Sequence, residues 1–152
     1  MGVTDGLIAL AAALLVATVL GVAIRRRAGQ FRSASPGTPA KPAGVLTEAD
    51  LGAGMGRQAT LVQFSTAFCA PCRPTRQILA QVADMVDGVT HVEIDAAARM
   101  DLVQRLRINS TPTVLVLDPD GAIVKRATGL PRKADVIAAL GTAAQAEDRS
   151  RK

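Results

Sequence analysis

The chain has 152 residues, of which 49% are hydrophobic, so it can bury the core of one domain and still carry an additional apolar segment. Aromatic residues make up only 2%, and the core must therefore be aliphatic. The net charge of +5 is uneven, because residues 1–44 hold five basic residues and one acidic residue, while residues 45–152 hold thirteen and twelve. With no surplus of one charge on the larger part and few aromatic side chains, nucleic-acid binding is not expected.

An uncharged apolar run, GLIALAAALLVATVLGVAI, occupies residues 6–24. At about 1.5 Å per residue, a helix of this run spans just under the roughly 30 Å hydrocarbon core of a bilayer, which predicts a transmembrane helix. A cleaved signal peptide is the main alternative, but MGVTD before the run has no basic residue. A helix of the domain core is a weaker alternative, because the rest of the chain already supplies a full set of elements.

Arg25, Arg26 and Arg27 directly follow the run, and no Lys or Arg precedes it. Since basic flanks stay on the cytoplasmic side, the N-terminus is predicted outside and the remaining chain on the cytoplasmic face of the membrane. Residues 1–27 would then be a single-pass anchor with its basic flank. Residues 28–44, AGQFRSASPGTPAKPAG, are rich in Pro, Ser and Gly and are predicted to be an unpacked, semi-extended linker.

Residues 45–141 show the pattern of one domain, followed by a charged tail at residues 142–152 that is expected to fray. The apolar periodicity and the turn residues predict an edge strand Val45–Leu46, a helix capped by Thr47, strand Thr60–Ser65, a helix from Cys69 to about Val86, strand Val89–Asp95, helix Ala97–Arg107, a hairpin of Thr113–Leu117 and Ala122–Ala127, and helix Pro131–Leu140. The predicted fold is an α/β mixed sheet with helices on both faces.

Two side-chain expectations accompany these elements. Met100, Val103 and Leu106 are expected to face the core from their helix. Pro74 is expected to remove a backbone hydrogen bond and kink the helix that follows Cys69.

Cys69 and Cys72 are the only cysteines, and they are three residues apart where a helix begins. A thiol at a helix N-terminus is shifted towards the thiolate, which is the form that attacks disulfides. The C-x-x-C spacing therefore predicts thiol–disulfide exchange. A zinc site needs four ligands, and His91 is the only histidine, so no metal is expected.

The order of the elements, the C-x-x-C at the first long helix and Thr111-Pro112-Thr113 before a strand resemble the thioredoxin superfamily over residues 45–141. With the apolar run added, the chain is similar to membrane-anchored thioredoxin-like proteins of bacteria. The resemblance implies that Cys69 attacks and Cys72 resolves. It also implies that the Thr111–Pro112 bond is cis beside the redox pair, and that the backbone of Thr111 binds an extended substrate.

Three positions depart from the family pattern. Phe68 replaces the usual Trp before the first cysteine, and Ala70-Pro71 replace Gly-Pro between the cysteines. These three residues are predicted to contact the substrate, with the Phe68 ring over the site. Gln63 replaces a buried acid that helps to deprotonate the resolving cysteine in the family, and an amide cannot accept that proton.

His91 lies on the next predicted strand, where the family often has a basic partner of that acid. A neutral imidazole there is a candidate proton acceptor for Cys72, and a hydrogen-bonded strand histidine without a catalytic role is the alternative. The arginines at 73, 76, 105 and 107 are expected on solvated helix faces, where Arg73 would also favour the Cys69 thiolate.

The sequence thus predicts a monomeric, membrane-anchored thiol–disulfide oxidoreductase that reduces protein disulfides. It would need no bound cofactor, and an external reductase would recycle it. One alternative places the domain outside the cytoplasm, serving secreted proteins or cytochrome-maturation substrates. A second alternative is a dedicated electron donor or scaffold with little general turnover.

Overall fold

The structure is a computed structural model that describes residues 12–22, 32–33 and 44–150. Residues 12–22 are helical and form α1. The following elements are β1 (Arg32–Ser33), α2 (Glu48–Leu51), β2 (Ala59–Ser65), α3 (Cys72–Met85), β3 (Val89–Asp95), α4 (Met100–Arg105), β4 (Thr113–Leu117), β5 (Ile123–Thr128) and α5 (Lys133–Ser150). Apart from the edge strand Val45–Leu46, the predicted strands and the hairpin are present within one or two residues of their expected bounds.

Five strands form one mixed sheet in the order β1-β5-β4-β2-β3. Strand β2 pairs parallel with β3 and antiparallel with β4, and β5 pairs antiparallel with β4 and β1. Every residue of β2 is buried, as befits a central strand. The register sets Gln63 beside Glu93 on one side and beside Val114 on the other.

Alternate residues of the strands fill two aliphatic clusters, one on each face of the sheet. Val62 and Phe64 of β2 pack with Leu102 and Leu106 from the α4 segment. On the opposite face, Leu61 packs with residues of α3 and α5, including Leu79 and Val136. The α/β mixed sheet with helices on both faces agrees with the sequence prediction, and residue 63 lies on the α3 face because it is two residues from Leu61.

The segment before α2 is fixed by local hydrogen bonds. Thr47 caps α2 and exchanges hydrogen bonds with Asp50 in a capping box, as predicted. The predicted edge strand Val45–Leu46 is wrong, because the Leu46 amide makes a single 2.9 Å bond to the carbonyl oxygen of Gly121 in the β4–β5 turn. Gly121 has a φ of 81°, and a Cβ there would lie 2.0 Å from the Leu46 carbonyl oxygen.

Three helix predictions need correction. Helix α3 begins at Cys72, so Pro74 lies in its first turn, where an amide has no intrahelical acceptor and the predicted loss of a hydrogen bond does not occur. Helix α4 is shorter than predicted, and Met100 is half exposed while Leu102 is buried. Helix α5 continues to Ser150 instead of ending at Leu140, since the buried Ala143 extends its packed face.

The structure describes only residues 12–22, 32–33 and 44 of the predicted anchor and linker. Residues 12–22 of the predicted transmembrane run are helical and exposed. Among the described residues, no helix combines the length and the apolar character needed to cross a bilayer. Arg25, Arg26 and Arg27 lie outside the described residues. The linker prediction is wrong at Arg32–Ser33, which pair with β5 as strand β1.

Candidate redox site

Cys69 and Cys72 form a disulfide with an S–S distance of 2.05 Å and a Cα–Cα distance of 5.3 Å. Cys69 lies in the β2–α3 loop and is partly exposed, whereas Cys72 is the first residue of α3 and only 3% exposed. The Cys69 amide donates to the Thr66 carbonyl at 3.2 Å, and the Cys72 amide donates to the Cys69 carbonyl at 3.1 Å. An incoming sulfur atom therefore reaches Cys69 more easily than Cys72.

The loop before β4 lies beside the β2–α3 loop. The Thr111–Pro112 peptide bond is cis, as the resemblance implies. The hydroxyl oxygens of Thr111 and Thr66 are 3.2 Å apart. The Gly129 amide donates to the Pro112 carbonyl at 2.8 Å, which connects the end of β5 to the same loop.

The surface around the disulfide is apolar and open to solvent. The Phe68 side chain is fully exposed, so the expected ring over the site is instead directed away from the protein. Ala70 and Pro71 are also exposed between the two cysteines. Leu130 follows Gly129 and is 45% exposed. Sequence reasoning missed Leu130, because only the Gly129–Pro112 bond shows that its segment reaches the site.

Gln63 lies fully buried in the middle of β2. Its Nε2 donates to the carbonyl oxygen of Cys72 at 3.0 Å, so the amide is fixed beneath the first turn of α3. Its Oε1 is buried and has no hydrogen-bond partner among the described residues. A buried polar atom without a partner is costly, which makes Oε1 a ready acceptor for any donor that comes within reach.

His91 lies on β3 opposite Leu61, on the same face of the sheet as Gln63 and diagonal to it. Its Nε2 is buried and makes no hydrogen bond to any described residue. Burial lowers the pKa of His91 below 6.5, the nearby Glu93 carboxylate opposes this shift and Arg76 adds to it. The imidazole is therefore neutral near pH 7, and the register places it on the face of the sheet that packs against the redox helix.

A charged network at the start of α3 was missed by the sequence analysis, which expected Arg76 on a solvated face. Its Nε lies 2.6 Å from Glu93 Oε2, and its Nη2 donates to Glu93 Oε1 at 2.6 Å. The Ser65 hydroxyl donates to the same Oε1. Partial burial acts to raise the pKa of Glu93, but the hydrogen bonds from Arg76 and Ser65 lower it overall. Glu93 is thus an ionised partner that links α3 to β2 and β3.

The other three arginines grouped with Arg76 have different surroundings. Arg105 makes a 2.8 Å ion pair with Asp50 across the space between α4 and α2. Arg107 has a φ of 51° in the turn after α4 and therefore does not continue that helix. Arg73 is exposed on the first turn of α3.

Comparison with known proteins identifies the family. A family model described as a thioredoxin-like domain matches residues 52–144, which is more than half of the chain. The chain belongs to the thioredoxin-like family. The thioredoxin of Mycoplasma genitalium is 30% identical over 77 residues, covering 51% of this chain and 74% of that protein. The thioredoxin of Mycolicibacterium smegmatis is 31% identical over 86 residues, covering 55% of this chain and 76% of that protein.

Solved structures give the same result. Chloroplastic thioredoxin z is similar with a TM-score of 0.52 and 29% sequence identity, covering 57% of this chain and 79% of that chain. A mutant thioredoxin from Halobacterium salinarum has a TM-score of 0.53 at 19% identity, covering 58% of this chain and 76% of that chain, and it supports the fold alone. The thioredoxin-like fold and the nearby cysteine pair together indicate a thiol–disulfide oxidoreductase. The roles of individual site residues remain predictions.

The lowered pKa of His91 predicts a pH-dependent stability. The unfolded histidine titrates near 6.5 and the folded one at lower pH, so the unfolded chain binds more protons between these values. The His91 contribution to the free energy of unfolding is complete above pH 6.5 and is lost as the pH falls through the folded pKa. Urea unfolding between about pH 7 and pH 5 should therefore show a steeper loss of stability in the wild type than in His91→Gln. Parallel curves for the two proteins would contradict this.

Proposed function

We propose that this thioredoxin-like protein is a membrane-anchored thiol–disulfide oxidoreductase that reduces protein disulfides through Cys69 and Cys72. The observation that supports this best is the asymmetry of the disulfide. One sulfur belongs to a partly exposed loop residue and the other to a buried residue at the start of α3. That asymmetry supports attack by the accessible thiol and resolution by the protected one.

The reaction begins with the dithiol form. The Cys69 thiolate attacks one sulfur of the substrate disulfide, forms a mixed disulfide and releases the other substrate sulfur as a thiolate. The Cys72 thiolate then attacks the Cys69 sulfur, releases the second substrate thiol and leaves the Cys69–Cys72 disulfide. Two electrons pass from the protein to the substrate, and a separate reductase must return two electrons before the next cycle. No bound cofactor takes part in these steps.

The apolar residues around the site suit an extended protein segment. Phe68, Ala70 and Pro71 are exposed beside the disulfide and offer apolar contact to residues that flank a substrate cysteine. The backbone of Thr111, next to Pro112, would bind the same segment by hydrogen bonds, as in a strand added to an edge. The substrate is therefore proposed to be a protein disulfide, bound by a single copy of the protein.

His91 is proposed as the proton acceptor for Cys72. Gln63 occupies the position beneath Cys72 and cannot take up a proton, because its side chain is an amide. His91 is neutral, is diagonal to Gln63 and has no hydrogen-bond partner for its Nε2 among the described residues, so it can take the proton through a relaying water molecule.

The anchor proposal is supported by the apolar run at residues 6–24. The described part of that run presents its large apolar side chains to solvent, namely Leu14, Leu15, Val16, Val19 and Leu20. A helix that is apolar on all sides needs an apolar environment. Arg25, Arg26 and Arg27 favour a cytoplasmic location for the redox domain.

A dedicated electron donor is the second candidate, and Gln63 is the observation that favours it. Without an acid beneath Cys72, deprotonation of the resolving thiol is slow for a generic substrate. A partner that docks closely is able to supply the missing base or hold the mixed disulfide until it is resolved. Such a protein would act on one enzyme and turn over general disulfides weakly.

Trapping separates these candidates. Cys72→Ser leaves Cys69 able to attack but removes the resolving thiol, so mixed disulfides should accumulate on the full chain in its own cell. Many captured proteins indicate a general reductase, and one captured protein indicates a dedicated donor. Cys69→Ser is the matched control and should capture nothing. If the two variants give the same pattern, Cys69 is not the attacking thiol.

Removal of His91 should slow resolution. In His91→Ala, the mixed disulfide formed by Cys69 should persist longer than in the wild type between about pH 6 and pH 8, because Cys72 has lost its proton acceptor. The rate at which Cys72 releases the substrate from the mixed disulfide should fall by about tenfold or more, as expected for loss of a general base. Stopped-flow mixing with a peptide disulfide measures the release step. An unchanged release rate would sink the proposed role of His91.

The orientation of the anchor is testable with a reporter. A redox-inert reporter that is active only in the cytoplasm, fused after Lys152, should be active if the domain faces the cytoplasm. A matched reporter that is active only outside the cytoplasm should then be silent. The reverse pattern would place the domain outside and favour secreted or cytochrome-maturation substrates.

A further inference from the structure

Thr66 connects the two loops that form the site. It is the first residue after β2, and its carbonyl oxygen accepts a 3.2 Å hydrogen bond from the amide of Cys69. Its hydroxyl oxygen lies 3.2 Å from the hydroxyl oxygen of Thr111. One residue therefore contacts the loop of the attacking cysteine through its backbone and the Pro112 loop through its side chain.

The strand pairing shows why this contact matters. The last pair in the ladder between β2 and β4 is Phe64 with Thr113. Beyond this pair the two loops leave the sheet, and no further ladder bond fixes their separation. The Thr111 loop is held by two other hydrogen bonds. Thr113 Oγ1 donates to the Ser110 carbonyl at 2.7 Å within the loop, and the Gly129 amide after β5 donates to the Pro112 carbonyl. Neither of these reaches the redox loop.

We propose that Thr66 is a positioning residue that sets the distance between the Cys69 sulfur and the substrate backbone held by Thr111. The role rests on the proposed function, in which an extended substrate binds Thr111 while Cys69 attacks its disulfide. Attack on a disulfide needs the incoming sulfur in line with the bond that breaks, so a small change in loop separation lowers the rate. The hydroxyl contact makes the two loops one rigid frame.

The contact is chemically simple to remove. Thr66→Val keeps the shape of the side chain and deletes the hydroxyl, while Thr66→Ser keeps the hydroxyl. The hydrogen bond between two hydroxyls is neutral and exposed, so its loss should change the rate by about three- to tenfold. The backbone bond from Cys69 to Thr66 remains in both variants, which leaves the redox loop itself intact.

Two substrates of different size separate positioning from a general loss of structure. A peptide disulfide that extends across Thr111 depends on the frame, whereas a small aliphatic disulfide reacts with Cys69 without needing Thr111. With the protein reduced to the dithiol beforehand, we expect Thr66→Val to lower the second-order rate constant for reduction of the peptide disulfide by about three- to tenfold. The same variant should reduce the small disulfide at the wild-type rate, and Thr66→Ser should reduce both substrates as the wild type does.

Further variants complete the test on the full chain. Thr111→Val removes the other hydroxyl, and the double variant Thr66→Val/Thr111→Val should be no slower than the slower single variant, because both lose the same bond. Thr142→Val is a matched control, since its hydroxyl bonds a helix carbonyl of α5 away from the site, and it should have wild-type kinetics. Thermal unfolding of each variant records its stability.

The outcomes distinguish this proposal from the proposed function. If Thr66→Val reduces the peptide disulfide at the wild-type rate, slows both substrates equally, or adds its effect to that of Thr111→Val, the positioning role is refuted while the redox function stands. If the wild type reduces neither substrate in a Cys69-dependent way, the redox function fails, and the role of Thr66 fails with it.

Discussion

The hydrogen bond from Gln63 to the carbonyl oxygen of Cys72 joins the centre of the sheet to the helix that carries the disulfide. Strand β2 is buried along its whole length, so Gln63 is shielded from bulk solvent and its polar atoms need partners inside the protein. Its amide nitrogen donates to the carbonyl oxygen at the start of α3, and its oxygen has no hydrogen-bond partner among the described residues. The position of the first turn of α3 relative to the sheet therefore depends on a polar group that the core would otherwise exclude.

Charged side chains next to this hydrogen bond lie at the boundary between the core and the solvent. The Arg76 guanidinium and the Ser65 hydroxyl both bind Glu93, which pairs with Gln63 in the register of β2 and β3. Burial lowers the pKa of His91 and keeps its ring neutral near pH 7, while the Glu93 carboxylate opposes this shift and Arg76 adds to it. A fixed ion pair that links α3 to the sheet thus lies close to a buried imidazole that is neutral near pH 7.

The sequence predicted the sheet well where local patterns decide the outcome. The alternation in VTHVEID, the turn at Asp118–Gly121 and the Thr47–Asp50 cap are signals within a few residues, and each was found. Arg76 and Glu93 are seventeen residues apart on a helix and a strand, so their ion pair depends on how α3 lies on the sheet. The Thr66–Thr111 contact spans forty-five residues and depends on the strand order. Helix α5 continues past its predicted end, and Ala143 in this continuation is buried by tertiary packing that a local pattern does not show.

The pairing of Arg32–Ser33 with β5 shortens the tether between the proposed membrane anchor and the redox domain. With the proposed anchor ending near residue 24, only residues 25–31 separate the membrane from the sheet edge, a span of roughly 25–30 Å when fully extended. Had the tether run freely to residue 45, it would have allowed roughly 70 Å. Strand β1 would therefore confine the disulfide to a thin layer above the lipid, where membrane proteins and their short loops are the partners within range.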